Sequence, residues 1–303
     1  MKDLIGVFRP LRWYRNSFML LGAILALGFL KIAPSTEEFI RIFVSFIAIC
    51  LVASGNYGIN EVCDAPFDKH HPQKKHRAIP SGKVKPITVI AISIVLYLLG
   101  IVITLPLNNI VLTLSVLLLL LSGLAYNLKP FRLKDLPYLD FMSEALNNPI
   151  RLLVGWYAVA GASQLVPSSF LLTYWFLGIF LMSAKRFGEI RFIKDKEMMS
   201  NYRKSLAYYS QKKLLFVMIA SINASSFMLG ALAMKYSLDL LIFLPFLIIW
   251  IIWFFNLSYE QNSIVKDPER VFENIPFVVF TIITFGLFLV LALSRTVILG
   301  GFF

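Results

Sequence analysis

A chain of 303 residues that is 58% hydrophobic and only 15% charged is not an ordinary soluble protein, since soluble domains carry roughly 25% charged residues. With a mean hydropathy of +0.75, its apolar surface calls for lipid as solvent. A net charge of +12 would suggest nucleic acid in a soluble protein; here the Lys and Arg track the ends of apolar runs, and no nucleic-acid partner is expected.

A spanning helix needs about 20 mostly apolar residues. Nine such runs are predicted, near 17–33, 38–58, 86–105, 108–126, 138–161, 168–184, 213–234, 237–256 and 274–299. No strand pattern competes with them, and in lipid the backbone polar groups of each run are satisfied within a helix. The expected fold is all-α: a polytopic membrane helix bundle of about nine transmembrane helices, forming one membrane-embedded domain over residues 1–303. The first run follows Lys2, Arg9, Arg12 and Arg15 without a small-residue cleavage site, so it reads as a retained span rather than a signal peptide. Cys50 and Cys63 are the only cysteines; their spacing fits no zinc or redox pattern, and two reduced thiols are expected.

Orientation follows from the basic residues. The N-terminal segment, the loop from Lys69 to Lys85, the loop with Lys129, Arg132 and Lys134, and the loop from Lys185 to Lys213 hold most of the 29 Lys and Arg. By the positive-inside rule that side is cytoplasmic, with the N-terminus inside, as for a multi-pass protein of the cytoplasmic membrane.

The chemistry-bearing residues collect on the same side. Asn60, Asp64 and Asp68 are spaced by four, which stacks them on one helix face. Two carboxylates and an amide make a hard-oxygen set that suits Mg2+, completed by substrate phosphates; a solvated helix end would carry the same spacing. Pro66 is expected to loosen that helix. The next segment, Lys69-His-His-Pro-Gln-Lys74-Lys75-His76-Arg77, supplies cations for the phosphates of an Mg-diphosphate, or for anionic lipid. Its histidines lack zinc-ligand spacing. Tyr126 and Lys129 end the fourth run, where the lysine can reach a phosphate or snorkel. Lys185, Arg186 and Glu189 leave the sixth run, with Lys185 and Glu189 four apart, a spacing that also fits a helix-end ion pair. Arg151 lies inside the fifth run, close after Glu144, Asn147 and Asn148. An intramembrane arginine is a functional candidate by default, although an ion pair with Glu144 or Asp140 would also explain it.

Taken together, Asn60-xxx-Asp64-xxx-Asp68, Tyr126-xx-Lys129 and the many-span plan resemble the UbiA superfamily of intramembrane prenyltransferases. Arg9-Pro-Leu-Arg12-Trp13-Tyr-Arg15-Asn16, the run from Asp68 to Arg77, Ala184-Lys185-Arg186-Phe-Gly-Glu189 and Arg203-Lys204-Ser205-Leu206 are similar to its decaprenyl-phosphate phosphoribosyltransferase branch. Where aromatic prenyltransferases usually carry a second Asp-xxx-Asp, this chain has Lys185-xxx-Glu189. Glu61 stands where the branch usually has Asp.

The resemblance implies an Mg2+-dependent membrane transferase that moves a phosphoribosyl group from phosphoribosyl diphosphate to a polyprenyl phosphate. Asn60, Asp64 and Asp68 would be its metal and catalytic residues. Lys74, Lys75, Arg77, Tyr126, Lys129, Arg151, Lys185, Arg186 and Glu189 would bind substrate, with Lys75 and Arg77 on the diphosphate. The alternative activity is prenyl transfer from a prenyl diphosphate to an aromatic or other small acceptor. A different class, an anionic-lipid transporter, would place polar groups along a route through the midplane. An oligomer is compatible with either.

Overall fold

The structure, a computed structural model, describes residues 2–69, 74–192, 204–236, 238–260, 265, 270 and 273–293. Every regular element among the described residues is helical. The chain divides into two compact units, Met1–Val166 and Pro167–Phe303.

The first unit opens with a short α1 (Lys2–Val7). A 3-10 stretch, Pro10–Phe18, then leads into α2 (Met19–Phe29). It continues with α3 (Thr36–Asp68), α4 (Pro86–Val102), α5 (Ile110–Asn127) and α6 (Leu139–Val159). The second unit holds α7 (Ser168–Phe192), α8 (Gln211–Tyr236), α9 (Leu244–Tyr259) and α10 (Ile275–Leu293).

Among the described residues, seven helical segments are long and apolar enough to cross a membrane, against the nine expected. Two expected spans fall short, each for a physical reason. Near 17–33 only the 11 residues of α2 are α-helical. In α6 the apolar residues are interrupted by Asp140, Glu144, Asn147, Asn148 and Arg151.

The 33 residues of α3 are the element that builds the site. Its start is fixed by a capping box: the Ser35 side chain accepts from the Glu37 backbone N–H, and Glu38 accepts from the Ser35 N–H at 3.0 Å. At 1.5 Å per residue the helix is about 50 Å long, well beyond a hydrocarbon core of about 30 Å. Its polar last turns therefore extend past the apolar layer. The helix continues through Pro66 to Asp68, so the expected loosening does not end it.

Two contacts fix what surrounds that end. α2 and α6 pack backbone to backbone through Gly22 and Gly155: a Cβ on Gly155 would lie 1.8 Å from the Met19 carbonyl oxygen, and one on Gly22 would lie 2.1 Å from that of Leu152. Small residues permit this approach where van der Waals packing drives helix association in lipid. Val7, Phe8, Ala65, Ile79 and Val89 form a buried apolar cluster. It pins α1 and the α3–α4 connection against the last turns of α3, and so sets the positions of Arg9 and Arg77.

The second unit is held by aromatic packing. Phe170 and Phe243 each meet Phe288, and Trp250 stacks on Phe254. Hydrogen bonds also join its helices: Trp250 Nε1 donates to Thr281 at 2.9 Å, and Ser225 donates to the Thr173 carbonyl at 3.0 Å.

Candidate active site

At 100° per residue, Tyr57, Asp64 and Asp68 lie within about 40° of one another around α3, with Asn60 and Glu61 on either side. The five residues thus share one face of the helix. Cations from two different connections meet its two edges.

The Asn60 edge faces the α5–α6 connection. The chain leaves α5 at Asn127 and turns sharply at Arg132, whose left-handed backbone (φ 33°, ψ 57°) starts a 3-10 turn over Leu133–Asp135. Arg132 Nε donates to Asp135 at 2.8 Å, which aims Nη2 at Asp64 Oδ1, 3.3 Å away. The guanidinium also lies 5.0 Å from the centre of the Phe67 ring. Two residues on, Lys134 is only 6% exposed. Its ammonium donates to Asp64 Oδ1 at 2.5 Å, Asn127 Oδ1 at 2.9 Å and Asn60 Oδ1 at 3.3 Å. Asn127 is itself fixed by donation to the Gly123 carbonyl at 2.9 Å. Burial pushes the Lys134 pKa below the usual 10.5, while the Asp64 carboxylate opposes that shift. Three oxygens satisfy three ammonium protons, which is what a buried lysine requires.

On the other edge, Arg77 Nη1 lies 2.6 Å from Asp68 Oδ2. Glu61 is buried, and the Ile79 backbone N–H hydrogen-bonds to it.

These donors suit a hard divalent cation. Asn60 Oδ1 and Asp64 Oδ1 converge on a single positive charge, that of Lys134. Among the described residues no three His, Cys, Asp or Glu side chains gather closely enough to hold a metal. A cation here would rely on two carboxylates, an amide and phosphate oxygens, which is the coordination habit of Mg2+ rather than zinc. His70 and His71 lie outside the described residues, and His76 is exposed.

The other residues singled out by sequence fall in several places. Tyr126 packs its ring 5.9 Å from the Lys134 ammonium, so it belongs to this site. Lys129 is exposed, as is Lys75, while Lys74 is half-buried. Arg151 on α6 donates to Asn16 Oδ1 at 2.9 Å and Asn148 Oδ1 at 3.3 Å, and Asn16 donates to Cys50 Sγ at 3.3 Å. Cys50 and Cys63 are both free thiols. Lys185, Arg186 and Glu189 belong to the second unit. There Glu189 takes both its contacts from the fully buried Arg186, at 3.1 and 3.2 Å; the ion pair expected with Lys185 is made by Arg186. Arg203 lies outside the described residues.

Sequence reasoning passed over Lys134 and Asn127. From the sequence alone, Lys134 reads only as a topogenic charge. Its signal was the Arg132-Leu-Lys134-Asp135 run, a dense charge cluster directly after a span.

Residues 19–272 match the model of the UbiA prenyltransferase family. The decaprenyl-phosphate phosphoribosyltransferase of Mycolicibacterium smegmatis is 29% identical over 224 residues, which cover 73% of this chain and 67% of the relative. The digeranylgeranylglyceryl phosphate synthase of Saccharolobus solfataricus is 30% identical over 240 residues, covering 77% and 80%. In fold, a UbiA homolog from Archaeoglobus fulgidus, solved bound to DMAPP and Mg2+, superposes with a TM-score of 0.70 at 15% identity, over 94% of this chain and 99% of that one. The family and these relatives are transferases acting on polyprenyl substrates, which sets aside the transport alternative. With helices built to cross a bilayer and a family match over most of its length, the chain is a multi-pass membrane transferase and belongs to the UbiA prenyltransferase family.

Proposed function

We propose that this transferase moves a phosphoribosyl group from phosphoribosyl diphosphate to a polyprenyl phosphate at the cytoplasmic face of the cell membrane. The observation that carries the choice of donor is the engagement of Glu189 by Arg186. Where a prenyl-diphosphate enzyme would place a second carboxylate pair, α7 carries Lys185, Arg186 and a single neutralised carboxylate. The likeness to decaprenyl-phosphate phosphoribosyltransferases supports the same donor.

Asn60, Asp64 and Asp68 are the residues that would hold Mg2+. When bound, the ion supplies neutralisation of charge on the leaving diphosphate. Lys134 and Arg132 stand beside Asp64 and offer further donors to diphosphate oxygens, already aligned before charge develops. The bond that breaks joins ribose C1 to a diphosphate oxygen, which keeps the electron pair. The bond that forms uses a lone pair on an oxygen of the lipid phosphate. That oxygen is already anionic, so the residues need position the acceptor and exclude water without abstracting a proton. The expected products are a polyprenyl phosphate joined through its phosphate oxygen to C1 of ribose 5-phosphate, and inorganic diphosphate.

A second reading is prenyl transfer to a small acceptor, favoured by the likeness to the digeranylgeranylglyceryl phosphate synthase. Purified protein in lipid nanodiscs, given radiolabelled phosphoribosyl diphosphate and polyprenyl phosphates of several lengths, tests the choice. Label should enter the lipid extract only with a polyprenyl phosphate present. If it never does, while a labelled prenyl diphosphate gives product, the second reading replaces the first.

A further inference from the structure

The end of α3 away from Asp64 carries a second polar site, which the transfer reaction does not use. From Arg41 to Asp64 the helix advances 23 residues, or about 35 Å, close to the thickness of a hydrocarbon core. No charged residue lies between Arg41 and Glu61. Arg41 and Asp64 therefore stand at opposite faces of the apolar layer.

Beside Arg41 lies a cavity of about 570 Å3, lined by Glu37, Ile40 and Arg41 of α3 and by Pro106, Leu107 and Asn108 of the α4–α5 connection. That volume falls within the range of small-molecule sites, about 300–1,000 Å3. Its walls are anchored. Arg41 Nε donates to the Ala158 carbonyl at 3.0 Å, one of the last carbonyls of α6, which lack partners within their own helix. Asn109 donates to the Tyr157 and Ala160 carbonyls, each at 2.9 Å, and so ties the α4–α5 connection to the same helix end. Asn108 adopts a left-handed conformation (φ 49°, ψ 34°), which asparagine tolerates better than most residues, and turns the chain into α5 at the edge of the cavity.

These anchors leave both charges of the cavity without a hydrogen-bonded counter-ion. Arg41 Nη1 and the Glu37 carboxylate stand 3.8 Å apart, an ion pair too long for a hydrogen bond. Among the described residues the Arg41 guanidinium donates through Nε alone, to Ala158. Glu38 is committed to Ser35 in the capping box. The cavity thus presents one cation and one anion, with Ile40, Pro106 and Leu107 beside them. A phosphate alone would be repelled by Glu37, and an amine alone by Arg41. A zwitterion carrying both groups satisfies both walls with charge-assisted hydrogen bonds. At a membrane boundary the molecules that join a phosphate, an ammonium and an apolar body are amine-headgroup phospholipids. Phe39, Phe43 and Leu105 are exposed on the adjoining turns, an apolar surface for the acyl chains.

We infer that this cavity binds the headgroup of phosphatidylethanolamine in the leaflet opposite the Asp64 site, with its phosphate on Arg41 and its ammonium on Glu37. Phosphatidylcholine has no N–H to donate to Glu37. Phosphatidylglycerol has no cation and sets its negative charge against Glu37. The bound lipid braces the Arg41 contact between α3 and α6, the two helices whose opposite ends flank the transferase site. The lipid site is independent of the donor that the enzyme takes.

The test offers the purified full chain in detergent an equimolar mixture of phosphatidylethanolamine, phosphatidylcholine and phosphatidylglycerol with identical acyl chains, and counts retained lipid by native mass spectrometry. Wild type should retain phosphatidylethanolamine over phosphatidylcholine by about tenfold, the discrimination given by one charge-assisted hydrogen bond. Glu37→Gln should abolish that preference and raise phosphatidylglycerol retention, because the cavity then presents a cation alone. Arg41→Gln should lower the retention of both phosphate lipids that wild type holds best. Phosphatidylethanolamine should also raise the unfolding midpoint of wild type more than that of Glu37→Gln. Retention of phosphatidylcholine or phosphatidylglycerol by wild type at least equal to that of phosphatidylethanolamine overturns the assignment. So does a phosphatidylethanolamine preference that survives Glu37→Gln. Arg41 also caps α6, so if Arg41→Gln does not fold, Glu37→Gln decides alone: its side chain is 76% exposed, and its replacement leaves the packing of α3 intact.

Discussion

Lys134 holds its ammonium 2.5 Å from Asp64 Oδ1, and the two side chains differ in burial: 7% of the lysine and 25% of the aspartate is exposed. Breaking the pair from either side is therefore not equivalent. Asp64→Asn strands a buried ammonium, and such a loss costs about 3 kcal/mol or more. Lys134→Met leaves a partly solvated carboxylate that still has Arg132 at 3.3 Å, for about 1–2 kcal/mol. Both variants should lose activity by about a hundredfold or more, as when one preorganised donor is removed from a charged transition state. Thermal unfolding in detergent should rank Asp64→Asn as the less stable of the two; the opposite ranking would contradict the burial asymmetry.

The same lysine predicts how activity and stability respond to alkali. Burial lowers its pKa below 10.5, so the charged form is lost at a pH where a free lysine is still protonated. Activity should decline as pH rises through that lowered value. Stability should move the other way. In the window between the lowered folded pKa and 10.5 the unfolded chain binds more protons, so unfolding free energy rises with pH. Opposite slopes in turnover and in unfolding midpoint over one alkaline range are the expected signature. Lys134→Arg, whose charge persists throughout, should flatten this contribution to both curves.

How much of this was legible in the sequence depends on whether periodicity set the neighbours. Asn60, Asp64 and Asp68 share a face because α3 stays helical through all three, and a four-residue spacing is enough to say so. Lys134 sits in a 3-10 turn after the left-handed Arg132, where spacing does not determine which side chain folds back. The exposed Lys129 was the more obvious candidate. On α7, Lys185 and Arg186 stand four and three residues before Glu189, and both spacings permit a pair. Only burial selects Arg186. Near residue 17 the reason is local as well: Pro10 opens a 3-10 stretch that takes in Ser17 and Phe18, so the α-helix runs only from Met19 to Phe29.

The α2–α6 contact makes a prediction about folding alone. A methyl group on Gly155 would enter the Met19 backbone carbonyl, with nothing flexible to yield. Overpacking of this kind costs about 1–3 kcal/mol, occasionally more. Gly155→Ala should lower the unfolding midpoint and expression level while any folded enzyme keeps its donor KM. Gly230→Ala, where a Cβ would meet no atom within 4 Å, is the matched control and should be neutral or slightly stabilising in the middle of α8.

Arg186 and Glu189 allow a structural role to be separated from a functional one. The arginine is fully buried and the carboxylate nearly so. Arg186→Met alone leaves Glu189 charged and buried, and Glu189→Leu alone leaves Arg186 so; either should cost about 3–5 kcal/mol. Replacing both with apolar residues of similar volume removes both penalties. The double variant should therefore be more stable than either single one, a coupling that a double-mutant cycle on unfolding free energies measures directly. If the pair only supports α7, activity should return with stability in the double variant. If Arg186 also holds a substrate phosphate, stability returns and the raised KM for one of the two substrates does not. Reading KM for each substrate beside the unfolding midpoint thus decides whether this pair serves the bundle or the reaction.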